Sequence, residues 1–285
     1  MNKFHLSLFT LLFFVIHSCK EVGPNINLKN NRNVVSDTTY IESPVAIPEL
    51  KNVMIEEFTG VRCPNCPQGH QTIANIKTAN PGRVISVSFH PVNSLGYHYE
   101  FSADIFENND AQILFDYLGQ RGFEPVAGID RTPYNASSVL FDRNTWGSNV
   151  ASELALSTPV NIILDKSYDS VSRELTIVTE LHYTQSIASE NKLTLLVSES
   201  NIISAQLNNS VIDTFYNHKD IQRAFISEIQ GDLIEQPRDA GRVIIKVYKI
   251  TLAPKWKPEN MHIVAYVHEF GNSKIVYQGK EIEVQ

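Results

Sequence analysis

The 285-residue chain carries 24 Lys and Arg against 31 Asp and Glu, a net charge of −7, with no basic cluster. That balance excludes nucleic acid and anionic membrane surfaces as partners held by charge. The composition is otherwise globular, free of low-complexity tracts and internal repeats, and the length allows two domains.

Residues 1–18 read as a lipoprotein signal peptide: Lys3 forms a short basic region and Leu6 to Ile16 an apolar core too short to span a bilayer. Ile16-His17-Ser18-Cys19 has the form of a lipobox, with His17 departing from the usual small residue. An ordinary signal peptide cleaved nearby is the alternative. Lipidation of Cys19 would tether the chain to a membrane without spanning it. Residues 19–47 are rich in Asn, Pro, Ser and Thr and predict a flexible tether.

The pattern changes in residues 48–157. An apolar strand, Asn52–Phe58, leads through Thr59-Gly60 to Cys63-Pro64-Asn65-Cys66, and a helix from about Pro67 to Ala79 ends at Pro81-Gly82. Arg83–His90 has the apolar density of a buried parallel strand, completing a βαβ unit. An excursion, Pro91 to Gly122, holds the aromatic loop Tyr97–Phe101 and a helix predicted over Ser102–Leu118, capped by Gly119. Glu124-Pro125 leads a short strand, Val126–Asp130, Tyr134–Leu140 reads as an edge strand, and Thr145–Leu156 is the last helix. This order matches an α/β thioredoxin-like domain with a helical insertion.

Thr158-Pro159 opens a different texture in residues 158–285. Seven strand-like runs follow: Val160–Leu164, Leu175–Tyr183, Lys192–Ser198, Ile221–Glu228, Arg242–Leu252, Met261–His268 and Lys274–Tyr277. Gly271-Asn272 is a hairpin signal. Short strands without helical periodicity predict an all-β, immunoglobulin-like sandwich. Its His182, His262 and His268 are scattered and read as half-buried strand histidines.

With Cys19 in the signal, the two cysteines left in the body both lie in the C-x-x-C pair. A pair between strand and helix is the arrangement of a redox dithiol, because the helix N-terminus favours a thiolate at Cys63. Closing so short a loop removes little chain entropy, so a purely structural bridge is the weaker reading. Zinc is the competitor: Cys63, Cys66 and His70 with His90 or His98 would make four ligands, without the second tight pair that structural sites bring.

From Val53 onward the chain resembles the thioredoxin superfamily at the chemical positions. Glu57-Phe58 stands where those proteins place an Asp-Phe pair with a buried carboxylate, and Pro125 where they place a cis-proline; the usual Trp and Gly-Pro around the cysteines are absent. Glu56 to Pro67 also resembles the signature of a Bacteroidetes lipoprotein family named for outer-membrane protein twenty-eight, and Tyr216 to Arg223 is similar to a block in that family's β-domain. Lys20-Glu21 is similar to export tags of surface lipoproteins in such bacteria. The resemblance implies an outer-membrane lipoprotein, on its periplasmic or cell-surface face, in which Cys63 is an exposed nucleophile, Cys66 the resolving thiol, Glu57 the proton acceptor and Pro125 part of the substrate edge. The expected function is thiol–disulfide exchange (reductase, oxidase or isomerase) on envelope or surface proteins, with protein dithiols and disulfides as partners and neither cofactor nor metal. The alternative is a non-enzymatic surface lipoprotein for binding or adhesion, with a structural Cys63–Cys66 disulfide.

Overall fold

The computed structural model describes residues 33–102, 104–134, 138–271 and 273–285. The signal peptide, Cys19 and Asn272 of the expected hairpin lie outside the described residues, as does the middle of the expected strand Tyr134–Leu140.

Fifteen strands and three α-helices follow one another among these residues. The first stretch holds β1 (Val34–Ile41), β2 (Val53–Phe58), α1 (Cys66–Ala79), β3 (Val84–Phe89), α2 (Asn109–Leu118), β4 (Val126–Ile129), β5 (Leu140–Asp142) and α3 (Trp146–Leu154). The second holds β6 (Val160–Asp169), β7 (Glu174–Tyr183), β8 (Asn191–Glu199), β9 (Ile202–Asn208), β10 (Val211–His218), β11 (Ile221–Phe225), β12 (Asp232–Leu233), β13 (Arg242–Thr251), β14 (Met261–Glu269) and β15 (Val276–Glu283).

The expected α/β thioredoxin-like domain followed by a separate immunoglobulin-like sandwich is not what the chain builds. Strand makes up 43% of the structure and helix 16%, and no α/β thioredoxin-like core stands apart. Instead β15-β14-β8-β11-β3-β2-β4-β5 form one mixed sheet, with β12 pairing β8 to make nine strands. The junction is a parallel pairing of Ile221 with Ser88, so strands from both sides of residue 157 share one sheet. Packing explains the merger: Met54, Phe58, Val87 and Phe89 form a single apolar cluster with α2 and with Leu196, Val264 and Tyr266. An edge of β3 left open would expose that cluster and its unpaired backbone.

A four-stranded sheet, β1-β13-β7-β6, covers the other face of β8 and β14. Leu175, Ile177, Leu181 and Tyr183 of β7 meet Leu193, Leu195 and Val197 of β8 there. The expected tether is corrected as well. Its residues 34–41 form β1, in antiparallel register with β13 from Val34↔Tyr248 to Ile41↔Arg242. The strand shows no alternation because it lies at a sheet edge with most side chains, polar and apolar alike, exposed.

Two helix starts follow from local sequence. Asn108 accepts a hydrogen bond from Ala111 N, so α2 begins there and not at Ser102, and Gly119 closes it at φ 84°. Pro67 occupies the first turn of α1, where its missing N–H costs nothing. Successive residues of β2 point to opposite sheet faces. Val53 and Ile55 pack with Ile73 and Ile76 of α1 and with Trp146 of α3, whereas Met54 and Phe58 pack against α2.

Candidate functional site

Cys63 and Cys66 are joined in a disulfide, with Cα atoms 5.4 Å apart. The expected exposed Cys63 is not found: it is 1% exposed and Cys66 0%. The cover is the two-stranded ribbon β9–β10, an element that pairs with neither main sheet. Leu207 N donates to Val61 O at 2.7 Å and Asn209 N to Pro64 O at 2.9 Å. Gln206 Nε2 reaches Gly60 O at 3.1 Å and Cys63 O at 3.2 Å. The ribbon is absent from the seven strands expected of residues 158–285, although Ile202-Ile203 and Val211-Ile212 flank an Asn-Asn-Ser turn signal.

Glu57 points inward, as the alternation of β2 requires for one of the paired glutamates, and is fully buried. Its Oε2 accepts from Ser88 Oγ at 2.9 Å, while Oε1 has no hydrogen-bond partner. Burial, with Asp220 and Glu124 nearby, pushes its carboxyl up to about 8 despite the Ser88 bond. It is therefore largely neutral at pH 7. The Glu124–Pro125 bond is cis. Gly69 of α1 packs between these groups: a Cβ there would sit 2.9 Å from Pro125 Cγ and 3.0 Å from Glu57 Oε1. Only glycine lets the helix approach this closely.

Glu56 faces the other way and meets Arg131. Arg131 Nε and Nη2 donate to its two oxygens at 2.7 Å each, and Tyr266 OH donates to Oε1 at 2.9 Å. Both charges are almost wholly buried and belong to the core.

His70, considered above as a zinc ligand, is occupied otherwise. Its Nε2 lies 3.1 Å from Thr59 Oγ1 and its Nδ1 2.7 Å from Tyr216 OH. Burial and nearby His218 hold its pKa at about 3, so the ring is neutral. His98 pairs with Glu107 at 2.5 Å, and His90 packs against Phe106 and His218. Among the described residues no group of three or more His, Cys, Asp or Glu is placed to hold a metal ion. Arg62 lies over the Tyr99 ring at 4.8 Å and donates to the carbonyls of Tyr97 and His98, so it holds the aromatic loop in place. In the Tyr216–Arg223 block, His218 is buried, and Arg223 pairs with Glu199 at 2.7 Å.

A groove of about 520 Å³ opens between α1 and the β10–β11 turn, lined by Glu57, His70, Ala74, Lys77, Tyr216 and Asp220 among others. Ser88 stands opposite Glu57 in the β2–β3 ladder; the Tyr216–Arg223 block, noted above only for its family likeness, reaches Glu57 because β11 joins β3.

The sequence model of the family described as outer membrane protein Omp28 matches residues 112–284, more than half of the chain. The chain belongs to the Omp28 family. Members are outer membrane lipoproteins, and the outer membrane is the location of this one. The Omp28 match begins beyond the dithiol loop and takes in the covering ribbon and the groove's β10–β11 wall. No curated protein matches the chain significantly. In fold, this Omp28 member is similar to HBP35 of Porphyromonas gingivalis, with a TM-score of 0.64 and 16% identity over 82% of this chain and 75% of that one. It is also similar to a protein of Agrobacterium tumefaciens, with a TM-score of 0.52 and 11% identity over 83% of this chain and 96% of that one. A domain of the outer membrane lipoprotein Omp28 from Porphyromonas gingivalis aligns with 45% of the chain at a TM-score of 0.32 and 13% identity, covering 89% of that domain.

Proposed function

We propose that this Omp28 protein is a non-enzymatic surface lipoprotein, lipidated at Cys19, that works by binding, and that its disulfide is structural. The observation that carries this reading is the burial of Cys63 and Cys66 beneath the β9–β10 ribbon. A thiolate attacks along the S–S axis and needs access to a sulfur, and a redox cysteine is an accessible one. Here neither sulfur is open to a substrate, and the hydrogen bonds from Gln206, Leu207 and Asn209 hold the cover on the 60–64 loop. The ribbon's exposed side presents Val211, Ile212 and Phe215, the last 82% exposed, an apolar surface suited to recognition.

The test is a disulfide-exchange assay on the purified mature protein beside its Cys63→Ala/Cys66→Ala variant. Neither is expected to reduce, oxidise or isomerise a protein substrate above background. The variant should fold and be less stable by about 2 kcal/mol, the loop-closure value for so short a ring. Turnover by the wild-type protein that vanishes in the variant would restore the thiol–disulfide exchange reading, with Cys63 as the nucleophile.

A further inference from the structure

The groove between α1 and the β10–β11 turn is lined by none of Gln206, Leu207 and Asn209, whose hydrogen bonds close off the disulfide, and its volume falls within the ~300–1,000 Å³ range of small-molecule sites. Its charged groups are unevenly satisfied. Lys77 Nζ lies 2.8 Å from Asp220 Oδ2, and Asp220 also accepts from the hydroxyls of Ser86 and Ser200, so this pair is internally neutral and its hydrogen bonds are filled. Both ring nitrogens of His70 are engaged by Thr59 and Tyr216. Lys219, also on the lining, is exposed and has water for a partner, so Glu57 is the exception among the buried groups. It is buried, one oxygen lacks a hydrogen bond, and the nearest basic group within ion-pair range is the neutral His70 ring at 3.7 Å.

The groups that face Glu57 come from every element around it. His70 and Lys77 stand on α1, Ser88 on β3 and Tyr216 on β10, with Asp220 in the β10–β11 turn and Glu124 before β4. Two of these are carboxyls that disfavour its ionisation. An anionic ligand would meet Asp220 and Glu57 together. A polyol would find the hydroxyls of Ser86, Ser88 and Thr59 already committed. Glu57 Oε1 lacks a hydrogen-bond donor and the carboxyl lacks a charged partner; an N–H of a cation supplies both, and the groove's apolar wall, Ile73 and Ala74, suits a short alkyl stem.

We propose that the groove binds a small organic cation, an alkylammonium or a guanidinium, with Glu57 as its counter-ion. The site stands whether or not the disulfide is inert, and it gives the binding role a ligand class. Binding converts the neutral carboxyl to a carboxylate, so the Glu57 proton passes to solvent as the ligand enters. In the low-dielectric floor of the groove the ion pair is far stronger than in water.

The experiment is calorimetric titration of the mature protein with n-butylammonium and guanidinium, in buffers of different ionisation enthalpy, with butyrate as control. Cations should bind with release of nearly one proton at neutral pH, and butyrate should not bind. Affinity should rise about tenfold per unit from about pH 6 to about pH 8 and flatten above it. Glu57→Gln keeps the shape of the neutral acid and should lose binding at least about tenfold. Ala74→Leu narrows the groove without touching Glu57 and should abolish binding even if the first variant fails to fold. The proposal is overturned if neither cation binds, if butyrate binds in preference, or if Glu57→Gln or Ala74→Leu binds as the wild type does. Disulfide turnover would be untouched by any of these results, so this site and the role of Cys63–Cys66 are judged separately.

Discussion

The β6–β7–β13 layer and the β2–β3–β4 layer are both central to the molecule, yet they solve burial differently. β7 alternates buried and half-buried residues over its whole length, with Leu175, Ile177, Leu181 and Tyr183 toward the core. One face meets β8 and β14, and the other carries polar residues such as Thr176, Glu180 and His182. β2 is buried at all six positions, because helices cover one face and α2 the other. It nevertheless carries Glu56 and Glu57 side by side, and beyond its partner β4 lie Asp130 and Arg131, both buried at positive φ. Asp130 pairs with Lys51, which also reaches Glu153. The first layer is stabilised by apolar area, whereas the second depends on each buried charge keeping its partner.

The largest expected effect tests that dependence. Arg131→Met leaves Glu56 buried without its guanidinium and should cost about 3–5 kcal/mol in urea unfolding. Adding Glu56→Gln should recover part of the loss. A double variant as unstable as the single one would break the comparison. In the apolar layer, Leu195→Ala should cost about 2–5 kcal/mol through lost packing, with no dependence on pH.

pH separates the two layers further. His70 and His218 have pKa values lowered to about 3 and about 4 by burial, from 6.5. Groups with lowered histidine values bind more protons unfolded than folded below the ordinary pKa. Their contribution is therefore full above about 6.5 and is lost as pH falls toward about 4. Glu57 acts in the opposite sense: raised from 4.5 to about 8, it favours the fold at low pH and penalises it progressively as pH rises between those values. Glu57→Gln should thus stabilise the protein at about pH 8 and leave it nearly unchanged at about pH 4.5, on the order of 1 kcal/mol per unit between. Melting curves of the wild type and Glu57→Gln across this range check the Glu57 sign by difference, and the variant's own loss of stability as pH falls below about 6.5 checks the histidines; a pH-independent difference would show that Glu57 is not held as described.

Gly69→Ala sharpens the picture of the site itself. The added methyl meets Pro125 and Glu57 Oε1, and overpacking of this kind should cost about 1–3 kcal/mol. At the bottom of the scale, Phe215→Ser on the exposed ribbon should change stability by less than about 0.5 kcal/mol. A larger loss would mean that the ribbon's outer side is part of the fold.

How much of this was legible follows the same division. The alternation of Leu175, Ile177 and Leu181 announces β7, and Arg242–Leu252 and Met261–His268 foretell β13 and β14 within a residue or so. The C-x-x-C pair and the helix after it were also readable from spacing; alternation put Glu56 and Glu57 on opposite faces of β2, but both faces are covered and both carboxyls are buried. Local sequence did not show β1 or β10, most of whose side chains, polar and apolar alike, are exposed and so follow no alternation.

The sequence by itself determined the types of the strongly patterned elements and the cysteine pairing options, since each rests on contacts a few residues apart. Only the tertiary structure decided that one sheet runs through both halves, that Gln206, Leu207 and Asn209 close over Cys63 and Cys66, and that Tyr216 and Asp220 join Ser88 beside Glu57. Those outcomes depend on pairings such as Ile221 with Ser88, separated by more than a hundred residues. No local propensity encodes such a pairing; it is selected because burying the shared apolar cluster of β3, β8 and α2 outweighs the cost of closing so long a loop.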